Sequence, residues 1–139
     1  MKNDILYTIY FADRTVHRTL LNTFRKEGFG ISPEQWLIIA FLFHESVRNQ
    51  QDIANLTGKD KTTITRALEV LIKEGLVRRK VDPEDKRANI VTLTSKGTKL
   101  CEKILPVYEK KRAEILKVFS KDKLKACQKA LDELIKTLE

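Results

Sequence analysis

The feature that most constrains this sequence is a change of hydrophobic period at Gly75. Before it, from Asp60 to Glu74, apolar residues recur every three or four positions: Ile64, Ala67, Leu68, Leu71 and Ile72 form one helical stripe. Asp60 is a natural N-cap for that helix and Gly75 a natural stop. After Gly75 the period falls to two. Leu76–Val81 and Asn89–Thr94 read as strands, joined by the polar loop Asp82-Pro83-Glu84-Asp85-Lys86-Arg87-Ala88. Upstream, Thr57-Gly58-Lys59-Asp60 reads as a turn. A short helix, Gln50–Leu56, precedes it and turns Ile53, Ala54 and Leu56 inward. Helix, turn, helix and hairpin in this order predict a winged helix-turn-helix over 51–97, with the helix pair at about 51–74 and the wing at 76–94.

Helices surround this lobe. Ile5, Ile9, Ala12, Val16, Leu20 and Phe24 predict a helix from about Asp4 to Lys26, ended by Gly28 and Gly30. Ser32-Pro33-Glu34-Gln35 is a capping box with Pro at the first helical position. It opens a helix through His44 that is apolar nearly all round and is expected at the centre of the core. Glu45–Asn49 reads as a link. A long helix is expected from Ser95 to Phe119, bent at Pro106, and a last one is capped by Ser120. On that last helix Leu124, Cys127, Leu131, Leu134 and Leu138 alternate steps of three and four, a heptad-like seam. The predicted fold class is mainly α, an α+β winged helix of order ααααββαα. It is read as a single domain over 1–139, with a winged helix-turn-helix lobe at 46–97 flanked by helices at 4–26 and 95–139, whose apolar stripes exceed what a compact lobe needs.

Composition narrows the function. Hydrophobic residues make up 42% of the chain, enough for a packed core, and the formal net charge of +8 favours polyanionic partners. No apolar run reaches the ~18 residues of a membrane span. The N-terminal pattern, interrupted by Asp4, Asp13 and Arg14, does not suit a signal peptide, so the expected compartment is the cytosol. Cys101 and Cys127 are then expected to be reduced thiols used for packing. Two histidines, no metal-ligand cluster, no Gly-rich phosphate loop and no nucleophile–base signature argue against an enzyme and against a cofactor.

The residues that fit a DNA interface lie on the Asp60–Glu74 helix and on the hairpin tip. Opposite the apolar stripe stand Lys61, Thr62, Thr63, Arg66 and Lys73. In a helix-turn-helix the second helix enters the major groove by its N-terminal end. There threonines contact bases or phosphates, and an arginine reads guanine or clamps a phosphate. Lys86 and Arg87 sit at the tip of the hairpin, where an arginine suits the narrow minor groove. Asp85 either holds Arg87 by an ion pair across the tip or serves only the turn. Gln51, at the start of the first helix of the pair, suits a phosphate.

Asp60-Lys61-Thr62-Thr63-Ile64-Thr65-Arg66, then Gly75-Leu76-Val77-Arg78-Arg79, then Asp82-Pro83-Glu84-Asp85-Lys86-Arg87 and Val91-Thr92-Leu93-Thr94-Ser95-Lys96-Gly97 together resemble the MarR family of regulators. Phe119-Ser120-Lys121-Asp122 is similar to the family's last helix junction. The resemblance implies double-stranded DNA as partner, with Thr62, Thr63 and Arg66 in the major groove, Arg87 in the minor groove and Asp85 as its supporting acid. Lys86 stands where the family more usually has Arg. The resemblance also implies a homodimer built from the first and last two helices, acting as a repressor on a pseudo-palindromic site with half-sites about 34 Å apart. It further implies a small phenolic or other anionic effector, for which the candidates are Arg14 and His17 with Trp36 and Phe43. Two other readings stay open: a winged helix that binds protein, and a regulator that senses oxidation through a thiol. The peroxide-sensing relatives carry a reactive cysteine in the first helix, which here has Tyr7 and Tyr10 but no cysteine.

Overall fold

The computed structural model describes residues 1–45 and 48–139, in two compact units, Met1–Pro106 and Val107–Glu139. The first unit opens with α1 (Ile5–Lys26), α2 (Pro33–His44), the short strand β1 (Arg48–Asn49), α3 (Gln50–Thr57) and α4 (Lys61–Lys73). The hairpin β2 (Val77–Val81) and β3 (Asn89–Leu93) follows, and then α5 (Ser95–Leu116), which continues past the boundary. The second unit contains α6 (Lys121–Leu138).

Capping chemistry sets these ends. The Asp4 carboxylate accepts the Leu6 and Tyr7 amides to start α1. Ser32 and Gln35 form the reciprocal capping box of α2. Gly58 takes φ +64° after α3 and Gly75 φ +73° after α4, a left-handed backbone that side-chain-bearing residues rarely adopt. Pro106 lies inside α5 and deprives the Glu102 carbonyl of its helical donor.

The strand order is β1-β3-β2, antiparallel throughout, with Asn49 opposite Ile90 and Arg78 opposite Thr92. The third strand corrects the predicted order: the link expected over Glu45–Asn49 ends in β1, so the chain runs ααβααββαα. Residues 46 and 47 of that link lie outside the described residues. Another correction concerns Leu56, which was expected to face inward and is exposed.

Every buried apolar side chain among the described residues belongs to the first unit. Ile38, Ile39 and Leu42 of α2 lie at its centre, with Phe24 of α1, Ile53 of α3, Ile64, Leu68 and Leu71 of α4, Val77 and Val91 of the hairpin, and Cys101 and Ile104 of α5. The base of the hairpin is tied to the start of α5. The Thr94 hydroxyl donates to the Gly75 carbonyl and accepts the Gly97 amide, while the Lys96 ammonium donates to the Glu74 carbonyl. Gly97 lies so close to the hairpin base that a β-carbon there would collide with the Leu76 carbonyl oxygen. That contact accounts for the glycine at 97, and the hydrogen bonds account for Thr94 and Lys96. In the second unit Ser120 caps α6, which buries no residue.

Candidate nucleic-acid interface

The α4 stripe places the interface. Because Ile64, Leu68 and Leu71 are buried, Lys61, Thr62, Thr63 and Arg66 are exposed on the opposite side. The Asp60 carboxylate accepts the Thr63 amide at 2.6 Å and so caps the helix. That bond from the Thr63 backbone, followed by one from its hydroxyl, holds the Asp60 carboxyl below the usual carboxylate range. The cap therefore remains ionised while the helix start around it stays cationic through Lys59, Lys61 and Arg66.

The wing tip is built by two side chains that fold the loop onto itself. The Asp82 carboxylate accepts the Glu84 amide at 2.9 Å, and the Asp85 carboxylate accepts the Arg87 amide at 3.0 Å. The Asp85 carbonyl also accepts the Ala88 amide. Of the two roles open to Asp85 in the sequence, the structure shows the turn. Its carboxylate holds the Arg87 backbone, and among the described residues it makes no ion pair with the Arg87 guanidinium. Lys86 and Arg87 are both exposed.

A cleft of about 320 Å³ brings these elements together. Gln50, Gln51, Lys61, Ile64, Asp85 and Arg87 line it, joining the starts of α3 and α4 to the wing tip. Gln51, Lys61, Asp85 and Arg87 thus share one opening, while Thr62, Thr63, Arg66 and Lys86 lie outside it on the exposed helix face and the loop. The Gln51 amide donates to Asn55 one helical turn on. Sequence reasoning missed Gln50. Its amide donates to the Thr65 hydroxyl at 2.8 Å and accepts from the Arg79 guanidinium at 3.4 Å. A lone glutamine at a helix start carries no periodic signal that could have flagged it.

Two of the four effector candidates share a cleft, and the other two do not line it. Arg14 and His17 line a second cleft, of about 390 Å³, with Arg18, Glu34 and Lys59. The His17 Nδ1 lies 3.2 Å from the Glu34 carboxylate, and Arg14 donates to the Tyr10 hydroxyl at 3.1 Å. Trp36 is instead a core residue, 3% exposed, its ring edge-on to Phe24 with centroids 6.2 Å apart. Phe43 is half-buried beside His44. A helix that is apolar nearly all round gives no clue to which of its aromatics faces a cleft. Burial pushes the Cys101 thiol up to about 11, whereas Cys127 is exposed on α6.

The MarR family profile matches residues 29–88, from the approach to α2 through the wing tip. The HTH-type transcriptional regulator FarR of Neisseria gonorrhoeae is 33% identical over 106 residues, 76% of this chain and 73% of that protein. The chain belongs to the MarR family. As such it is a DNA-binding transcriptional regulator. A probable transcriptional regulator from Pseudomonas aeruginosa, 26% identical, superposes with a TM-score of 0.85 over 96% of this chain and 98% of its own. The MepR–DNA complex of S. aureus shares the fold, with a TM-score of 0.84, 20% identity, and 96% and 98% of the two chains covered. Among the described residues no helix is long and apolar enough to cross a membrane.

Proposed function

We propose that this MarR-family regulator acts as a homodimeric repressor, in the cytoplasm, by occupying a pseudo-palindromic operator. The observation that carries this reading is the cleft shared by Lys61 and Arg87. It brings the N-terminal end of α4 and the wing-tip arginine to one side of the lobe, as a helix for the major groove and a wing for the minor groove require. Thr62, Thr63 and Arg66 read base edges and phosphates from α4, and Arg87 enters the neighbouring minor groove. Lys86 and Gln51 add backbone contacts. Asp85 positions Arg87 by fixing its backbone rather than by pairing with its charge. Occupied DNA is closed to other proteins, hence repression.

Uncovered apolar side chains on the terminal helices support the dimer. Ile5, Leu6 and Phe11 of α1 are exposed, as are Leu131, Ile135 and Leu138 of α6. A two-fold axis would present two copies of the lobe to successive half-sites. The cleft lined by Arg14, Arg18 and Lys59, against Asp13 and Glu34, keeps a small excess of positive charge and suits a small carboxylate or phenolate that relieves repression.

Fluorescence anisotropy on duplexes that the protein selects from genomic DNA tests the reading. Binding should weaken steeply with salt, and Arg87→Ala should lower affinity by more than about 1 kcal/mol and flatten the salt slope by about one. Unchanged affinity in Arg87→Ala would remove the wing from the interface.

A further inference from the structure

Gln50 sits where four elements converge. It is the first residue of α3, directly after β1, whose Asn49 pairs with Ile90 of β3 and whose side chain caps α3 through the Asp52 amide. Its own side chain reaches two further elements, α4 at Thr65 and β2 at Arg79.

The orientation of the Gln50 amide follows from its neighbours. A guanidinium can only donate, so Oε1 must face Arg79 and Nε2 must face α4. The Thr65 hydroxyl gives its own hydrogen to the Lys61 carbonyl at 2.8 Å, and its oxygen is then free to accept from Gln50 Nε2. The result is a one-way chain of three hydrogen bonds: Arg79 to Gln50, Gln50 to Thr65, Thr65 to Lys61. Each donor in such a chain is polarised by the bond before it, which strengthens the whole. The chain starts on the wing strand and ends on the backbone of the residue whose side chain lines the cleft with Arg87.

We propose that Gln50 is a positioning residue for DNA recognition: through the Arg79–Gln50–Thr65–Lys61 chain it sets the start of α4 relative to the wing. The two contact elements can then engage the major and minor grooves in one geometry. This rests on the DNA-binding reading above. Without the chain, the helix and the wing each keep their contacts but lose the preorganised offset between them, and the ordering cost moves to the binding step.

Two measurements test the proposal, one of them without DNA. Amide hydrogen exchange on the full-length protein should speed up in β2 and the first half of α4 for Gln50→Ala and for Thr65→Val, with α2 unchanged. Thr65→Ser, which keeps the hydroxyl, should leave both elements as in the wild type. Unchanged exchange in β2 and α4, acceleration spread evenly over the molecule, or Thr65→Ser matching Thr65→Val would overturn the proposal. On a duplex recovered from random-sequence DNA by the wild-type protein, Gln50→Ala should bind about five- to tenfold more weakly with the same salt slope. In an Arg87→Ala background that loss should shrink, because one groove contact has no partner left to be aligned with. Losses that simply multiply, or a salt slope reduced by about one, would make Gln50 an independent or direct DNA contact and overturn its positioning role. A wild-type protein that selects no duplex would count against the DNA-binding reading itself, and the exchange experiment would still decide whether the chain couples helix to wing.

Discussion

Helices α4 and α6 carry apolar stripes of similar regularity and meet opposite fates. On α4 the stripe of Ile64, Leu68 and Leu71 is buried against the first unit. On α6 the seam of Leu124, Leu131, Leu134 and Leu138 ends in a helix with no buried residue, Leu131 being 37% and Leu138 77% exposed. The same periodicity thus serves a core in one place and stays uncovered in the other. Amphipathicity states that a face wants cover; it does not state which chain supplies it. The family's dimeric architecture gives α6 that cover in the function proposed above.

The sharpest way to break this contrast is to truncate one leucine from each stripe. Leu68→Ala should destabilise by about 2–5 kcal/mol, seen as a fall in thermal midpoint that is the same at every protein concentration. Leu131→Ala should instead lower the midpoint most in dilute solution, because association and folding are linked there. A concentration-independent loss for Leu131→Ala would place the α6 stripe inside its own chain. Next in size is Gly97→Ala, which forces a β-carbon against the Leu76 carbonyl. It should cost about 1–3 kcal/mol in denaturant unfolding by pushing the hairpin base off α5, whereas alanine at exposed Gly30 should be nearly silent.

The two thiols offer a chemical version of the same comparison, one in each unit. Cys101 is buried and its thiol is pushed up to about 11, so at neutral pH it is un-ionised as well as shielded. An alkylating reagent followed by mass spectrometry should modify Cys127 in the native protein and Cys101 only on unfolding. Equal labelling rates would contradict the burial. The smallest effect belongs to Asp60. Its pKa is depressed in the fold, so the capping contribution is fully present above the ordinary value of 3.8 and fades as pH falls through the lower folded value. The acid limb of the stability curve should therefore flatten in Asp60→Asn, which keeps a cap that cannot titrate.

Much of this was legible in the sequence because the signals were periodic or covalently local. Asp60, Gly75 and the Ser32–Gln35 box mark helix ends by their own chemistry, and the alternation after Leu76 marks the wing. What escaped was short or depended on partners far along the chain. β1 spans two residues, too few to display any period. The Gln50–Arg79 bond joins positions 29 residues apart, and neither residue type announces it. Asp85 was readable as a turn residue or a charge partner, and only the loop geometry separates those roles. The depth of Trp36 was not readable either, because a helix apolar on all sides has no outward direction to read.

The tie of Thr94 and Lys96 to the carbonyls after α4 has a mechanical consequence. It clamps one end of that helix to the start of α5, while the other end, Asp60 to Thr63, projects into solvent under its own cap. That end is held too, by the buried Ile64 and by the Gln50 contact at Thr65, so the helix is a beam supported at both ends and resists bending along its span. A displacement of α4 would therefore carry the base of the hairpin with it, so that helix and wing shift as one piece.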